Sequence, residues 1–374
     1  MRNNTSTEIF RYEMKEGVSE YHAILTVTNI RLAYEEQVEA LLSAYGSLLE
    51  ELEGSVAVFK RFFLSDAANQ ADYLLALHTE LSDCALSVIE QPPLNGSKVA
   101  LWVYLQKGVE TKALSNGLFE VRHGAYRHLW MVGACNQASN SEYQTRLLLN
   151  DYVMNLMENG CRLAENCIRT WLFVQNVDVN YAGVVKARNE VFITQNLTDK
   201  THFIASTGIA GRQASPKVLV QMDAYAVYGI KTEQIHYLYA RTHLNPTYEY
   251  GVSFERGTYI DYGDRRHVYI SGTASINNKG EVMHPKDVKK QTLRMWENVE
   301  ALLAEAECTY NDVGYLLVYL RDTADYIVVK EMFEERFPDI PKVFLLAPVC
   351  RQGWLVEMEC MAIKAIQNEC YPPF

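Results

Sequence analysis

The chain has 374 residues, a length for which two or three domains are expected. Its 35 Lys and Arg against 46 Asp and Glu give a formal net charge of −11, which disfavours non-specific binding to nucleic acid or anionic membranes. No apolar run approaches the roughly 20 residues that span a bilayer, the first residues open no apolar signal core, and none of the eight cysteines forms a C-x-x-C pair. A cytoplasmic protein with reduced thiols is expected. No P-loop or G-x-G-x-x-G follows a strand and the His residues are scattered, so no metal and no organic cofactor is implied.

Taken in chain order, one unit is written three times. The first copy is the most divergent. It reads as strand Tyr21–Val27, helix Glu35–Glu53, strand Val56–Leu64, helix Asn69–Leu81, and closing strands Leu86–Ile89 and Lys98–Tyr104. Val38, Leu41, Leu42, Tyr45, Leu48 and Leu49 form the apolar stripe of its long helix. In the second copy the same order gives strand Arg127–Gly133, helix Ser141–Asn159, strand Cys167–Val174, helix Tyr181–Ile193, and closing strands His202–Ser206 and Val218–Tyr228. In the third it gives strand Arg266–Ala274, helix Val288–Ala306, strand Gly314–Leu320, helix Tyr326–Phe337, and closing strands Lys342–Leu346 and Trp354–Ala362. The unit β-α-β-α-β-β, with an extra hairpin strand at its start, makes one sheet with two helices on one face, an α+β layer. The expected units are residues 1–110, 111–231 and 258–374, with a Tyr- and His-rich linker over 232–257.

The last strand carries the chemistry. Trp354, Val356 and Met358 alternate with Leu355, Glu357 and Glu359, a period of two. Cys350 and Arg351 lie in the turn before it. Leu219-Val220-Gln221-Met222-Asp223 occupies the same register in the second copy, with Gln221 where the third has Glu357. The Thr207-Gly208 and Gly272-Thr273-Ala274 runs are read as strand ends, where glycine lets backbone N–H groups approach a ligand. Arg351 is expected to neighbour or pair with Glu359.

The third copy resembles the RidA (YjgF, endoribonuclease L-PSP) family in Ile270-Ser271-Gly272, in Asn277 to Val282, in Asn298 to Ala306 and in Val356 to Ala362. That resemblance implies a chorismate-mutase-like fold and, with three copies on one chain, an intramolecular pseudo-trimer whose sites lie in clefts between units. RidA deaminases carry an Arg before the final strand in an Arg-Leu-Pro context. This chain has Ala347-Pro348-Val349-Cys350 there, with Arg351 displaced by one or two places.

The second and third copies together are similar to the chorismatases. The matching runs are Ile168 to Trp171, Ala205 to Ile209, Tyr250-Gly251, Ser253 to Arg256, Ser271 to Ser275 and the block from Val349 to Glu357. Ala210 interrupts the loop where chorismatases run straight to the second glycine. In the hydroxybenzoate-forming branch a Cys precedes a catalytic Glu by seven residues, as Cys350 precedes Glu357.

The resemblance implies removal of pyruvate from chorismate, with Glu357 as general acid and Cys350 steering the intermediate. Arg256, Arg169 and Arg188 are then candidates for binding the substrate carboxylates, with Tyr250, Thr207, Gly208, Gly272, Thr273 and Ala274 around the ligand. The implied partner is a small anionic metabolite. The alternatives are an enamine/imine deaminase or a non-catalytic small-ligand binder; the acidic charge disfavours an endoribonuclease.

Overall fold

A computed structural model describes residues 4–78 and 84–374. The first unit comprises β1 (Thr5–Tyr12), β2 (Ser19–Val27), α1 (Tyr34–Glu51), β3 (Ser55–Leu64), α2 (Ala67–His78), β4 (Ala85–Glu90) and β5 (Val99–Lys107). The last part of the helix expected over Asn69–Leu81 lies outside the described residues. The second unit comprises β6 (Glu110–Ala113), β7 (Leu118–His123), β8 (Tyr126–Cys135), α3 (Ser141–Glu158), the single turn α4 (Leu163–Asn166), β9 (Cys167–Val174), α5 (Val177–Thr194), β10 (Ala205–Ala210) and β11 (Val220–Tyr228). The third comprises β12 (Ile235–Leu238), β13 (Gly257–Asp261), β14 (Arg265–Ala274), α6 (Val288–Glu305), β15 (Val313–Leu320), α7 (Tyr326–Arg336), β16 (Lys342–Leu346) and β17 (Val356–Ala365).

Two of the long helices start where a side chain satisfies a free backbone donor. Asn140 accepts from the Tyr143 N–H at 2.9 Å ahead of α3, and Asp287 accepts from the Lys290 N–H at 3.0 Å ahead of α6. The α6 residues Met295, Trp296, Val299, Leu302 and Leu303 are buried on one face, as their helical spacing requires. One expected strand moves: the segment read as His202–Ser206 is strand Ala205–Ala210. It pairs in parallel with β9 from Ala205↔Arg169 to Ala210↔Val174. The ladder therefore carries Thr207 and Gly208 inside the strand rather than at its end. The linker contributes β12, which pairs with β13 at the edge of the third sheet.

The three sheets share one strand order: β4-β3-β5-β2-β1, β10-β9-β11-β8-β7-β6 and β16-β15-β17-β14-β13-β12. The units close on one another in a ring. The turn before the last strand of each unit bridges the edge strand region of another: Pro93 to Leu345, Arg212 to Glu90, and Val349 to Ile209. This is the intramolecular pseudo-trimer that the threefold repeat implies.

The ladders also give the equivalences between units. Val99, Val220 and Val356 each pair with the last residue of the neighbouring strand. Ala100, Gln221 and Glu357 therefore share one position, and Trp102, Asp223 and Glu359 another. Asp223 is fully buried and meets Arg61 of the first unit at 2.8 Å, the Ser87 hydroxyl at 2.6 Å and the Gly133 N–H at 2.7 Å. Glu359 meets Arg169 of the second unit at 3.0 Å and the Trp171 indole N–H at 2.7 Å. Trp102 packs at a tilt against Tyr315 of the third unit, with ring centroids 4.3 Å apart. A further buried cluster joins the first and third units: Glu20 pairs with Arg265 at 2.6 Å and His267 at 2.9 Å.

Removing one member of a buried pair leaves the other charge without compensation. Arg61→Met is expected to destabilise the protein by about 3–5 kcal/mol, read as a lowered urea midpoint. The double change Arg61→Met with Asp223→Leu is expected to recover much of that loss.

Candidate active site between the second and third units

A cavity of about 360 Å³ opens where β10 and α5 of the second unit face β14, β17 and the 347–354 turn of the third. Glu357, the second residue of β17, forms part of its wall and is 4% exposed. Both faces of β17 are buried for most of its length, because α6 packs on one side and the second unit covers the other. The strand read from sequence as half charged is therefore internal.

Room for the Glu357 carboxyl comes from a β-bulge. Ser271 and Gly272 on β14 stand opposite the single residue Glu359 between the pairs Ile270↔Cys360 and Thr273↔Met358. A Cβ at Gly272 would lie 2.3 Å from Glu357 Oε1, so any other residue there would displace the carboxyl. The Gly272 N–H donates to Thr207 Oγ1 at 2.9 Å, which fixes the bulge to the neighbouring unit.

The carboxyl is buried, with the Glu359 charge two residues away on the same strand. Burial first, and repulsion from Glu359 second, push its pKa up to about 8, against the opposing pull of Arg169 and Arg256. Glu359 is itself held by Arg169 and Trp171, so Glu357 lies next to a fixed negative charge.

The cations around the cavity differ in their commitments. Arg188, on α5, is 1% exposed and lines the cavity. Its Nε and Nη2 have no hydrogen-bond partner among the described residues. Such a buried guanidinium suits a carboxylate ligand. Arg256 bonds the Asn245 carbonyl through Nε at 3.3 Å and Nη2 at 3.0 Å, and lies over the Tyr250 and Phe254 rings. Arg351 does not pair with Glu359: Arg169 and Trp171 occupy that carboxylate from the second unit. Arg351 instead donates to the Gly280 carbonyl at 3.1 Å and lies over Tyr250 and Trp354 on the cavity wall.

Cys350 lines the same cavity as Tyr181. Burial, then the Glu357 charge, push the thiol up to about 12. It is therefore a neutral thiol, unsuited to nucleophilic attack. Gly208 leaves space for Tyr181, since a Cβ there would lie 2.8 Å from the ring.

Of the residues singled out from sequence, Glu357, Cys350, Arg256, Arg188, Tyr250, Gly208, Gly272 and Ala274 line the cavity. Arg169, Thr207 and Thr273 stand behind it. Arg169 is bound to Glu359 and Thr207, and the Thr273 hydroxyl donates to the Ser271 carbonyl at 2.9 Å. Tyr181, Phe254 and Trp354 are among the further residues on the wall and are not candidates in the sequence reading. Phe254 lay beside Arg256 in a matching run and could have been found; Tyr181 carried no signal beyond opening a helix.

Residues 256–364 match the family model described as endoribonuclease L-PSP. A RutC family protein of Pyrococcus abyssi is 32% identical over 99 residues, which are 26% of this chain and 78% of that one. A 3-hydroxybenzoate synthase of Streptomyces hygroscopicus is 32% identical over 120 residues, covering 28% of this chain and 35% of that one. The crystal structure of a chorismatase superposes with a TM-score of 0.65 at 18% identity, covering 82% of this chain and 92% of that one. The chain belongs to the RidA/YjgF (endoribonuclease L-PSP) superfamily, as a tandem-repeat, chorismatase-like member.

The raised Glu357 pKa has a consequence for stability. The folded state holds this proton more tightly than the unfolded chain, whose carboxyl titrates at 4.5. The contribution is therefore fully present below pH 4.5 and lost as pH rises through about 8. Urea denaturation of the wild type and of Glu357→Gln at pH 5, 7 and 9 is expected to show the wild type losing ground to the variant at each step.

Proposed function

We propose that this cleft removes pyruvate from chorismate, with Glu357 as the general acid. The observation that carries the reading is a carboxyl buried in the wall of a cavity that also holds Arg188, whose Nε and Nη2 have no hydrogen-bond partner among the described residues; burial and Glu359 push that carboxyl's pKa up to about 8. Chorismate is a dicarboxylate with an enol ether. Cleaving that ether by acid needs a proton delivered to the methylene carbon of the enolpyruvyl group. An ordinary Glu is ionised at neutral pH and cannot supply it; a Glu kept protonated by burial can.

Arg188 and Arg256 are the proposed carboxylate ligands, and Trp354, Phe254 and Tyr250 provide walls for the ring. Protonation makes the enolpyruvyl carbon electrophilic. Capture by water gives pyruvate and a dihydroxycyclohexadiene carboxylate, consuming one water. Loss of pyruvate with aromatisation gives a hydroxybenzoate and consumes no net water. The neutral Cys350 thiol on the cavity wall is the group proposed to bias that partition. The similarity to the 3-hydroxybenzoate synthase favours the aromatic product.

The test is pyruvate release from chorismate by the purified chain. The wild type is expected to turn over, with kcat/KM falling above about pH 8 as Glu357 loses its proton. Glu357→Gln is expected to lose on the order of 10²–10⁴-fold. Arg188→Ala is expected to act mainly on KM, and Cys350→Ala to change the product ratio more than the rate. Absence of turnover, or a Glu357→Gln variant as active as the wild type, refutes the reading. Ammonia release from an enamine substrate would point instead to deaminase chemistry, for which Arg351 on the cavity wall is the available cation.

A further inference from the structure

A second cleft occupies the boundary between the third and first units. There β16 and α7 stand in place of β10 and α5, and β2 with the 91–97 turn stands in place of β14 with the 347–354 turn. The strand registers give the equivalences. Counted back from the matching strand ends Leu320 and Val174, Lys342 takes the position of Ser206 and Phe344 that of Gly208. Thr26 pairs with Ala100 as Ala274 pairs with Glu357. The cavity here is about 360 Å³, as large as the first. Ala100 fills the position of Glu357, so the second cleft has no counterpart of the general acid.

The charges on the two walls differ in kind. Arg188, Arg256 and Arg351 line the first cavity against Glu357, an excess of cations that suits an anion. Lys330 and Lys342 line the second against Glu8 and Glu334, so its charges balance. The Lys342 side chain is 5% exposed; its Nζ donates to the Ile340 carbonyl at 2.9 Å and lies 3.7 Å from Glu8 Oε2. An ammonium has three donors, and Ile340 takes one of them. A buried ammonium with donors to spare on a cavity wall suits a ligand carboxylate. Lys330 and Glu334 meet at 2.8 Å, with side chains 37% and 50% exposed, at the open side of the cleft. A carboxylate accepts several hydrogen bonds, so Glu8 and Glu334 can each take a further N–H. Val27, Pro93, Val343 and Phe344 supply apolar wall between these charges.

We propose that this cleft is a second small-ligand site, which holds a free α-amino acid with an apolar side chain. A zwitterion matches a wall of two cations and two anions, whereas a dianion would meet both Glu8 and Glu334. In this arrangement Lys342 binds the ligand carboxylate, the two glutamates receive its ammonium, and its side chain lies against Phe344 and Val343. Such a ligand touches the third and first units together and leaves the catalytic cleft free.

Calorimetric titration of the full chain with L-phenylalanine and L-leucine tests this. Saturable binding is expected. Lys342→Met is expected to weaken it by about tenfold or more, the loss of one charge-assisted hydrogen bond. Glu334→Lys, at a half-exposed position, is expected to weaken it as well and serves should Lys342→Met fold poorly. N-acetyl-L-phenylalanine, which lacks the ammonium, and phenethylamine, which lacks the carboxylate, are each expected to bind about tenfold more weakly than L-phenylalanine. Arg188→Ala, in the other cleft, is expected to bind the amino acids as the wild type does. Absence of binding by either amino acid overturns the proposal, as does binding that survives both wall substitutions or is lost in Arg188→Ala. An N-acetyl compound that binds as tightly as the free amino acid overturns the zwitterion. No arm of the experiment uses chorismate, so its outcome is independent of the reaction proposed for the first cleft.

Discussion

The cleft depends on one buried contact across the boundary between the second and third units. Glu359 reaches out of β17 to Arg169 at 3.0 Å and to the Trp171 indole at 2.7 Å. A buried ion pair is weak evidence for net stability, because both charges must leave water. Its value here is positional. It docks the third sheet on the second at a defined height and holds an anion two residues from Glu357. The same Arg169 bonds Thr207, and Thr207 receives the Gly272 N–H. The bulge that makes room for the Glu357 carboxyl is thus tied to the same contact that docks the two units and buries that carboxyl.

The three clefts of the ring show why one site is favoured. The position of Glu357 is held by Gln221 in the second unit and Ala100 in the first. Gln221 is buried and leans on the Ser87 hydroxyl at 3.4 Å, in a boundary that Arg61 and Asp223 already fill. The first unit lacks the bulge as well: Ala23, Ile24 and Leu25 of β2 pair with Val103, Trp102 and Leu101 without interruption. The second unit keeps the bulge around Val132 and Gly133 but turns the Gly133 N–H on its own Asp223. Glycine, bulge and acid coincide only in the third unit.

Much of this was legible in the sequence, for identifiable reasons. The threefold order of elements showed because each unit must bury its own sheet face, which imprints the periodicities of strands and helices. Glu357, Cys350 and Arg256 showed through spacing shared with a known family. The burial of β17 on both faces did not, since alternation reports which residues share a face and says nothing about what covers it. Arg169 was read as a substrate ligand because a type of side chain in a matching run does not reveal its partner. Glu359 takes it up from 190 positions away. The sequence places this strand at His202–Ser206 because Thr207-Gly208 reads as a strand end, whereas the parallel ladder to β9 and the Tyr181 ring over Gly208 carry it from Ala205 to Ala210.

The central claim is that Glu357 keeps its proton near neutral pH inside the cavity. Carbon-13 NMR titration of the glutamate carboxyls, with Glu357→Gln used to assign the resonance, tests it without any assumption about substrate. The account predicts a midpoint near 8 for the resonance that disappears in the variant. A midpoint at or below the ordinary glutamate value of about 4.3 would contradict it.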